Sequence, residues 1–379
     1  MDTLLSHVRS RQRELVAFLR ELVECESPSD DPSAVNRFGD LFAARIGDIA
    51  KVRRARGGAF GDHLLCEFAL PGAKKSGQIL ALGHSDTVWP MGTLRQMPFR
   101  QREGRLWGPG VYDMKAGLAF FVYAMRALRN LEIPVRRKVV LQINSDEEVG
   151  SPSSRPLTEK EARRSAAVLV LEPGTGLEGK LKTARKGTGE YTVRVTGHAS
   201  HAGVDFSAGA SAIVELARQI EVVAGFTRIE KGITVNPGVI RGGTRSNVVA
   251  AEAEVTVDIR IPRAKDEAWL AKQFRSLKPF DKRCSLTVTG GLNRPPMERT
   301  KGVAELFNKA RALAAEMGIA IEESSTGGGS DGNFTAALGA PTLDGLGAVG
   351  EGAHAPHESL LIDRIADRTA LLAKLVANL

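Results

Sequence analysis

A histidine and an aspartate two residues apart, His84 and Asp86, follow the apolar run Ile79-Leu80-Ala81-Leu82. Such a run, ended by glycine, predicts a short buried strand. Open α/β sheets bind their ligands at the carboxyl ends of strands. An imidazole placed there can ligate a metal while a carboxylate orients it from behind. One His-x-Asp alone could equally be a polar turn, but the arrangement recurs. The apolar stretch 139–143 leads into Asp146-Glu147-Glu148, the stretch 167–171 leads into Glu172, and Asp113 opens an apolar helix predicted over 118–128. Oxygen and imidazole donors without cysteine suit a hydrolytic zinc, cobalt or manganese site. Two ions about 3.5–4 Å apart can clamp a water and polarise a carbonyl together. Such a pair needs a bridging carboxylate, further ligands on each ion, and a carboxylate base that binds neither. His84, Asp113, Glu148, Glu172 and His354 are the ligands on offer. Glu147 is then the free base, because neighbouring residues leaving a strand point in different directions.

The elements that must hold these groups alternate between strand and helix. Amphipathic spacing predicts a helix over 3–25 and a second over 31–46. Residues 52–70 are expected as strand and turn, 95–106 as a polar β-excursion, and 107–117 as a glycine-rich loop opening the apolar helix. Strands alternating with helices imply a mostly parallel sheet covered on both faces. The acids and the histidine then crowd one edge of that sheet. Near residue 185 the pattern changes. Tyr191, Val193 and Val195 alternate with polar residues, and strands at 234–240, 251–261 and 285–288 interleave with helices at 210–223 and 266–277. The order β-α-β-β-α-β is that of a ferredoxin-like unit. The expectation is therefore a discontinuous first domain, 1–185 and 296–379, with an α+β domain, 186–295, inserted into it. After Pro295-Pro296 the first pattern resumes, with a helix over 302–317, a strand over 341–347 and a final helix.

Composition narrows the class. The chain has 379 residues, a formal net charge of +8 and scattered basic residues mixed with acids, so nucleic acid is not the expected partner. Cys25, Cys66 and Cys284 form no Cys-x-x-Cys pair, which argues against a disulfide framework or a thiolate metal site. No apolar run approaches membrane-spanning length, and the N-terminal pattern is amphipathic, so a cytoplasmic protein without a membrane partner is expected.

Seven segments carry a resemblance: GHSDTV (83–88), GPGVYDMKAG (108–117), SDEEVGS (145–151), LEPG (171–174), GHASHAG (197–203), GGGSDGNF (327–334) and HAPHE (354–358). Together the chain resembles the co-catalytic dizinc metallopeptidases, which include glutamate carboxypeptidases, aminoacylases, acetylornithine deacetylase and succinyl-diaminopimelate desuccinylase. The resemblance implies an α/β zinc-exopeptidase catalytic domain with an inserted ferredoxin-like dimerisation domain. It implies two zinc ions per subunit, with cobalt or manganese as substitutes. His84 and Glu172 resemble the ligands of one ion, Glu148 and His354 those of the other, and Asp113 the bridge. On spacing alone His357 could replace His354, but the pattern His-x-x-x-Glu selects His354 with Glu358. Asp86 resembles the acid that orients His84, and Glu147 the general base. The Asp113-Met114 peptide is expected to be cis.

His201 resembles a histidine that reaches the partner subunit's site and steadies an oxyanion, and Asn247 a companion substrate contact. Arg294 resembles the arginine that grips the substrate's terminal carboxylate, with Gly328, Gly329 and Ser330 bringing backbone amides to the same end. Ala353 stands where the family often has a larger residue. The implied activity is removal of a C-terminal amino acid, such as glutamate, from a peptidyl or N-acyl substrate by a homodimer. Deacylation of an N-acyl amino acid is the alternative.

Overall fold

The structure is a computed structural model and describes residues 2–379. The chain forms two compact units. The first holds the residues up to Ala184 together with Arg299–Thr326 and Ser330–Leu379, and the second holds Arg185–Glu298 with Gly327–Gly329.

In chain order the first unit begins with helices α1 (Thr3–Ser10), α2 (Gln12–Glu24) and α3 (Pro32–Ile46), then strands β1 (Ala50–Ala55), β2 (His63–Phe68) and β3 (Gln78–His84). The hairpin strands β4 (Arg100–Arg102) and β5 (Arg105–Trp107), helix α4 (Ala116–Asn130), strand β6 (Lys138–Asn144), helix α5 (Arg155–Ala162), strand β7 (Ser165–Val170) and strand β8 (Leu181–Arg185) follow. The single helix expected over 3–25 is two. Helical geometry is lost at Arg11 (φ −102°, ψ 4°), whose side chain caps nothing. No glycine or proline marks that break.

The second unit comprises β9 (Gly187–Thr196), α6 (Ala212–Ala224), β10 (Thr234–Gly242), β11 (Glu252–Ile261), α7 (Lys265–Arg275) and β12 (Ser285–Arg294). The chain then returns to the first unit through α8 (Lys301–Glu316), β13 (Glu323–Thr326), α9 (Gly332–Ala337), β14 (Thr342–Leu343), β15 (Gly350–Glu351), β16 (Ser359–Leu361) and α10 (Ile365–Asn378).

The central sheet of the first unit has the order β1-β2-β6-β3-β7-β14. The pairs β6-β3, β3-β7 and β7-β14 are parallel, while β1 and β2 close one edge antiparallel. Its inner strands are apolar on both faces, as parallel strands are. Ile79, Ala81, Val139, Leu141, Ala167 and Leu169 join the large core with α1, α2, α4, α8 and α10. The alternate residues Leu80, Leu82, Val140, Val168 and Val170 pack in a smaller core on the other face. Each such buried side chain contributes about 1.5–3 kcal/mol. Because the faces alternate, the residues that end these strands sit at the sheet's rim, where chain direction changes and polar groups can turn together.

The second unit is a four-stranded antiparallel sheet of order β10-β11-β9-β12. In β11, Ala253, Val255, Val257, Ile259 and Ile261 are buried and the residues between them are not. They pack with Leu216 of α6 and with Leu270 and Phe274 of α7, and the Tyr191 and Phe274 rings stack 3.8 Å apart. Among the described residues no helix is long and apolar enough to cross a membrane, and all three cysteines are unpaired.

Candidate metal centre

Three neighbouring strands bring the site together. β3 ends in His84, the turn after β6 carries Glu147 and Glu148, and Glu172 lies two residues past β7. Asp113 enters from the loop before α4. That loop lies close over the rim because the second residue of α4 is glycine: a Cβ at Gly117 would stand 2.1 Å from the Leu171 carbonyl oxygen. The peptide between Asp113 and Met114 is cis. His354 enters from the turn between β15 and β16, with a left-handed φ of 60°.

These side chains form two donor groups that share one residue: His84, Asp113 and Glu172, and Asp113, Glu148 and His354. His84 Nε2 lies 3.5 Å from Asp113 Oδ1 and 3.5 Å from Glu172 Oε1. His354 Nε2 lies 3.4 Å from Asp113 Oδ2 and 3.1 Å from Glu148 Oε2. The two oxygens of Asp113 therefore face different histidines, as a bridging carboxylate's must. Tetrahedral bonds of about 2.0–2.1 Å put neighbouring ligand atoms about 3.3–3.4 Å apart. The observed separations match that spacing.

The remaining chemistry also asks for a cation. Glu148 Oε1 is buried without a hydrogen-bond partner. Burial pushes the Glu148 carboxyl up. At His84 burial opposes the charged form, but the carboxylates of Asp113, Asp86 and Glu172 outweigh it and hold the imidazole well above its ordinary range. Asp113 and Glu148 likewise raise His354 to about 10. A cluster so rich in carboxylates gathers positive charge, and the donor set fits a divalent metal.

His84 is prepared for that role by its other nitrogen. Nδ1 lies 2.9 Å from the Asp86 main-chain carbonyl. A carbonyl can only accept, so Nδ1 carries a proton, and Nε2 is the nitrogen that would offer its lone pair to a metal. The Asp86 carboxylate, 3.5 Å from Nδ1, makes its shorter bonds elsewhere. Oδ1 accepts from Glu147 N at 3.2 Å, and Oδ2 accepts from Glu148 N at 3.1 Å and Ser29 Oγ at 2.8 Å. One buried aspartate thus ties the His84 strand end to the turn that carries both glutamates. Glu147 itself, in neither donor group, lines a small cleft with His84, Glu172, Met114 and Asp331.

Two residues had no role in the sequence reading. Glu358 is buried and accepts four N–H groups: Tyr112 N at 2.9 Å and Asp113 N at 3.0 Å on Oε1, Gly110 N at 2.9 Å and Trp89 Nε1 at 2.7 Å on Oε2. Burial pushes its carboxyl up to about 7, against four donors that favour the ionised form. It holds the loop that presents Asp113. Asp331, inside GGGSDGNF, reaches the two ends of the Glu147 turn. The only sequence signal for either was its place inside a motif.

The other predicted residues lie outside these donor groups. His357 and His198 are exposed. His201, Asn247, Arg294, Gly328 and Gly329 belong to the second unit, and Ser330 to the first. Arg294 is buried at the end of β12. Gly329 must be glycine there, since a Cβ would stand 2.8 Å from Arg294 Cδ. Arg185, also buried, donates from Nη1 to the carbonyls of Gly328 at 3.1 Å and Gly329 at 2.9 Å. Ser330 is fixed by its Oγ donating to Asp344 at 2.6 Å and its N donating to Asn333 Oδ1 at 2.9 Å.

Comparison with known proteins agrees with this geometry. The model of peptidase family M20/M25/M40 matches residues 80–378. Carboxypeptidase G2 of Pseudomonas sp. (strain RS-16) is 29% identical over 388 residues, covering 100% of this chain and 92% of that protein. Succinyl-diaminopimelate desuccinylase of Acidovorax ebreus (strain TPSY) is 30% identical over 322 residues, covering 77% and 80%. The solved structure of aminopeptidase PepT from Bacillus cereus ATCC 10987 shares the fold, with a TM-score of 0.80 at 24% identity over 97% of this chain and 98% of that one. So does the family M20 metallo-carboxypeptidase Sso-CP2 from Sulfolobus solfataricus, with a TM-score of 0.72 at 16% identity over the whole of both chains. The chain belongs to peptidase family M20/M25/M40 and is a hydrolase of that metal-dependent family.

Proposed function

We propose that the protein is a dizinc exopeptidase that hydrolyses the amide bond before a C-terminal amino acid, with glutamate as the first candidate. The observation that carries this reading is the Asp113 carboxylate, whose two oxygens face His84 and His354 separately. His84 and Glu172 would hold one ion and Glu148 and His354 the other, with Asp113 shared. Metals held there supply Lewis-acid polarisation of the scissile carbonyl and acidify the attacking water. Glu147 takes a proton from that water as the new carbon–oxygen bond forms. It returns the proton to the leaving nitrogen as the carbon–nitrogen bond breaks, giving a carboxylate and a free amine. Asp86 keeps Glu147 in place through its main-chain N–H. Zinc fits the nitrogen and oxygen donor set, and cobalt or manganese would substitute.

His201 and Asn247 are proposed to steady the oxyanion and the substrate, on the strength of their motifs. Arg294 is proposed to grip the terminal carboxylate, with Gly328, Gly329 and Ser330 at the same end. Its guanidinium is suited to bidentate contact. The likeness to the desuccinylase keeps a second reading in view, deacylation of an N-succinyl or N-acetyl amino acid.

A panel of N-acyl amino acids and dipeptides offered to the zinc-loaded enzyme separates the two. Release of C-terminal glutamate is the expected result, and Arg294→Ala then raises KM about 10- to 100-fold through loss of a charge-assisted pair. Turnover confined to succinylated or acetylated diamino acids assigns the protein to the deacylases instead.

Homodimerisation through the second unit is part of the proposal. β10 is an edge strand with Val239 and Ile240 exposed, and α6 exposes Ile213 and Val214. Exposed apolar residues on an edge strand and its neighbouring helix form a surface suited to pairing. Light scattering is expected to give twice the 40.6 kDa chain mass, and Ile240→Lys to lower it toward the monomer. A monomer for the unaltered protein contradicts this. A cytoplasmic location accords with three unpaired cysteines.

A further inference from the structure

We propose that Asp331 is a positioning residue for the general base: it clamps both ends of the turn that carries Glu147. The inference rests on the assignment of Glu147 as base and adds a residue to which that reading gave no role.

The turn leaves the sheet at Asn144, the last residue of β6, and ends at Ser151. Asp331 Oδ2 accepts from Asn144 Nδ2 and Oδ1 accepts from Ser151 Oγ, both at 2.5 Å. One carboxylate therefore spans the seven-residue excursion from one side. From the other side Asp86 accepts the main-chain N–H groups of Glu147 and Glu148. The turn needs such anchors. Gly150 and Ser151 both have left-handed backbones, φ 91° and 60°. That conformation is unfavourable for a serine and persists where contacts enforce it. Within the turn Gly150 N donates to Glu147 O at 2.9 Å and Ser151 N donates to Asp146 O at 2.8 Å.

The chemistry of the pair is directional. Asn144 has both amide ends engaged, since Oδ1 accepts from Gln142 Nε2 at 2.8 Å while Nδ2 also approaches Thr158 Oγ1 at 3.1 Å. It therefore faces Asp331 as a donor. In Asn144→Asp two carboxylates confront each other and that anchor is lost, whereas Asp331→Asn alone can turn its NH2 to Ser151, whose hydroxyl then accepts. Exchanging the two residues, Asn144→Asp with Asp331→Asn, rebuilds the hydrogen bond with donor and acceptor reversed. Thr158 can follow, because a hydroxyl donates as readily as it accepts.

The segment just before Asp331 has its own anchors. Ser330 is held by Asp344 and Asn333. Loss of the Asp331 clamp should therefore leave substrate binding alone and act on turnover. A displacement of about 1 Å at a reacting group can cost about 100-fold.

The test uses the zinc-loaded protein and reads kcat, KM and bound metal for Asp331→Ala, Asn144→Asp, Ser151→Ala, the Asn144→Asp/Asp331→Asn exchange and Glu147→Ala. We expect Asp331→Ala and Asn144→Asp each to lower kcat about 10- to 100-fold with KM within about threefold of the parent and zinc content unchanged. Ser151→Ala should fall part of the way, and the exchange should recover most of kcat. The proposal is overturned if Asp331→Ala keeps its kcat, if its loss of kcat tracks loss of zinc, or if the folded exchange variant is no better than Asn144→Asp. A Glu147→Ala enzyme with undiminished turnover would instead remove the assignment of the base, a separate failure.

Discussion

Replacing Glu147 with alanine is expected to lower kcat by about 10²–10⁴-fold, the usual worth of a positioned acid–base group, while the protein keeps its metal and its stability. The expectation follows from geometry. Glu147 belongs to neither donor group, yet it lines the same cleft as His84 and Glu172. Its main-chain N–H is held by the Asp86 carboxylate, so the backbone stays put when the side chain is removed. The neighbouring residue behaves differently. Glu148 sits with Oε2 3.1 Å from His354 Nε2, and Glu148→Ala should lose metal and activity together. Metal analysis beside steady-state kinetics separates the two variants. Equal metal loss in both would show that Glu147 is a ligand and would leave the base unassigned.

The second large effect is expected at Glu358. Its carboxylate accepts four N–H groups and is buried. Glu358→Ala leaves all four donors without their acceptor, two of them fully buried. Leaving the partners of a buried charge unmatched costs about 3–5 kcal/mol, which lowers the melting temperature by roughly 6–15 °C in a unit of this size. The same loss frees the loop that presents Asp113, whose N–H is one of the four. Groups that orient a metal ligand typically govern about 10- to 100-fold in metal affinity. Chelator competition should show that weakening, and Glu358→Gln should recover part of both effects. A variant with unchanged melting temperature and metal affinity would contradict the account of this loop.

How much of this was legible in the sequence follows from where the signals lie. The gathering of His84, Glu148 and Glu172 was legible because each stands at or soon after the end of an apolar strand, and neighbouring parallel strands end at one rim. The inserted unit was legible through period-two alternation such as that of β11. The mostly parallel sheet followed from alternating strand and helix, although β1 and β2 close its edge antiparallel.

What stayed hidden has no local signal. Asp331 and Glu358 find their partners roughly 180–270 residues away, and a carboxylate in a loop looks the same whether it faces solvent or four N–H groups. The polar stretch before the Asp113 loop was expected as a β-excursion, but its partner β16 lies some 250 residues on. Asp86 was expected to orient His84. That its carboxylate chiefly holds the Glu147–Glu148 turn depends on the register that sets Asn144 beside His84, which spacing cannot supply. The helix break at Arg11 has no sequence marker at all.

The measurement that tests the central claim most directly is zinc stoichiometry. Metal-stripped protein is titrated with zinc while hydrolysis of an N-acyl glutamate is followed in the same samples. Two zinc ions per chain are predicted for the parent protein, one or none for Asp113→Ala, and full turnover only when both are bound. Full activity at a single equivalent, or two tightly bound ions without Asp113, would contradict a shared, two-metal centre.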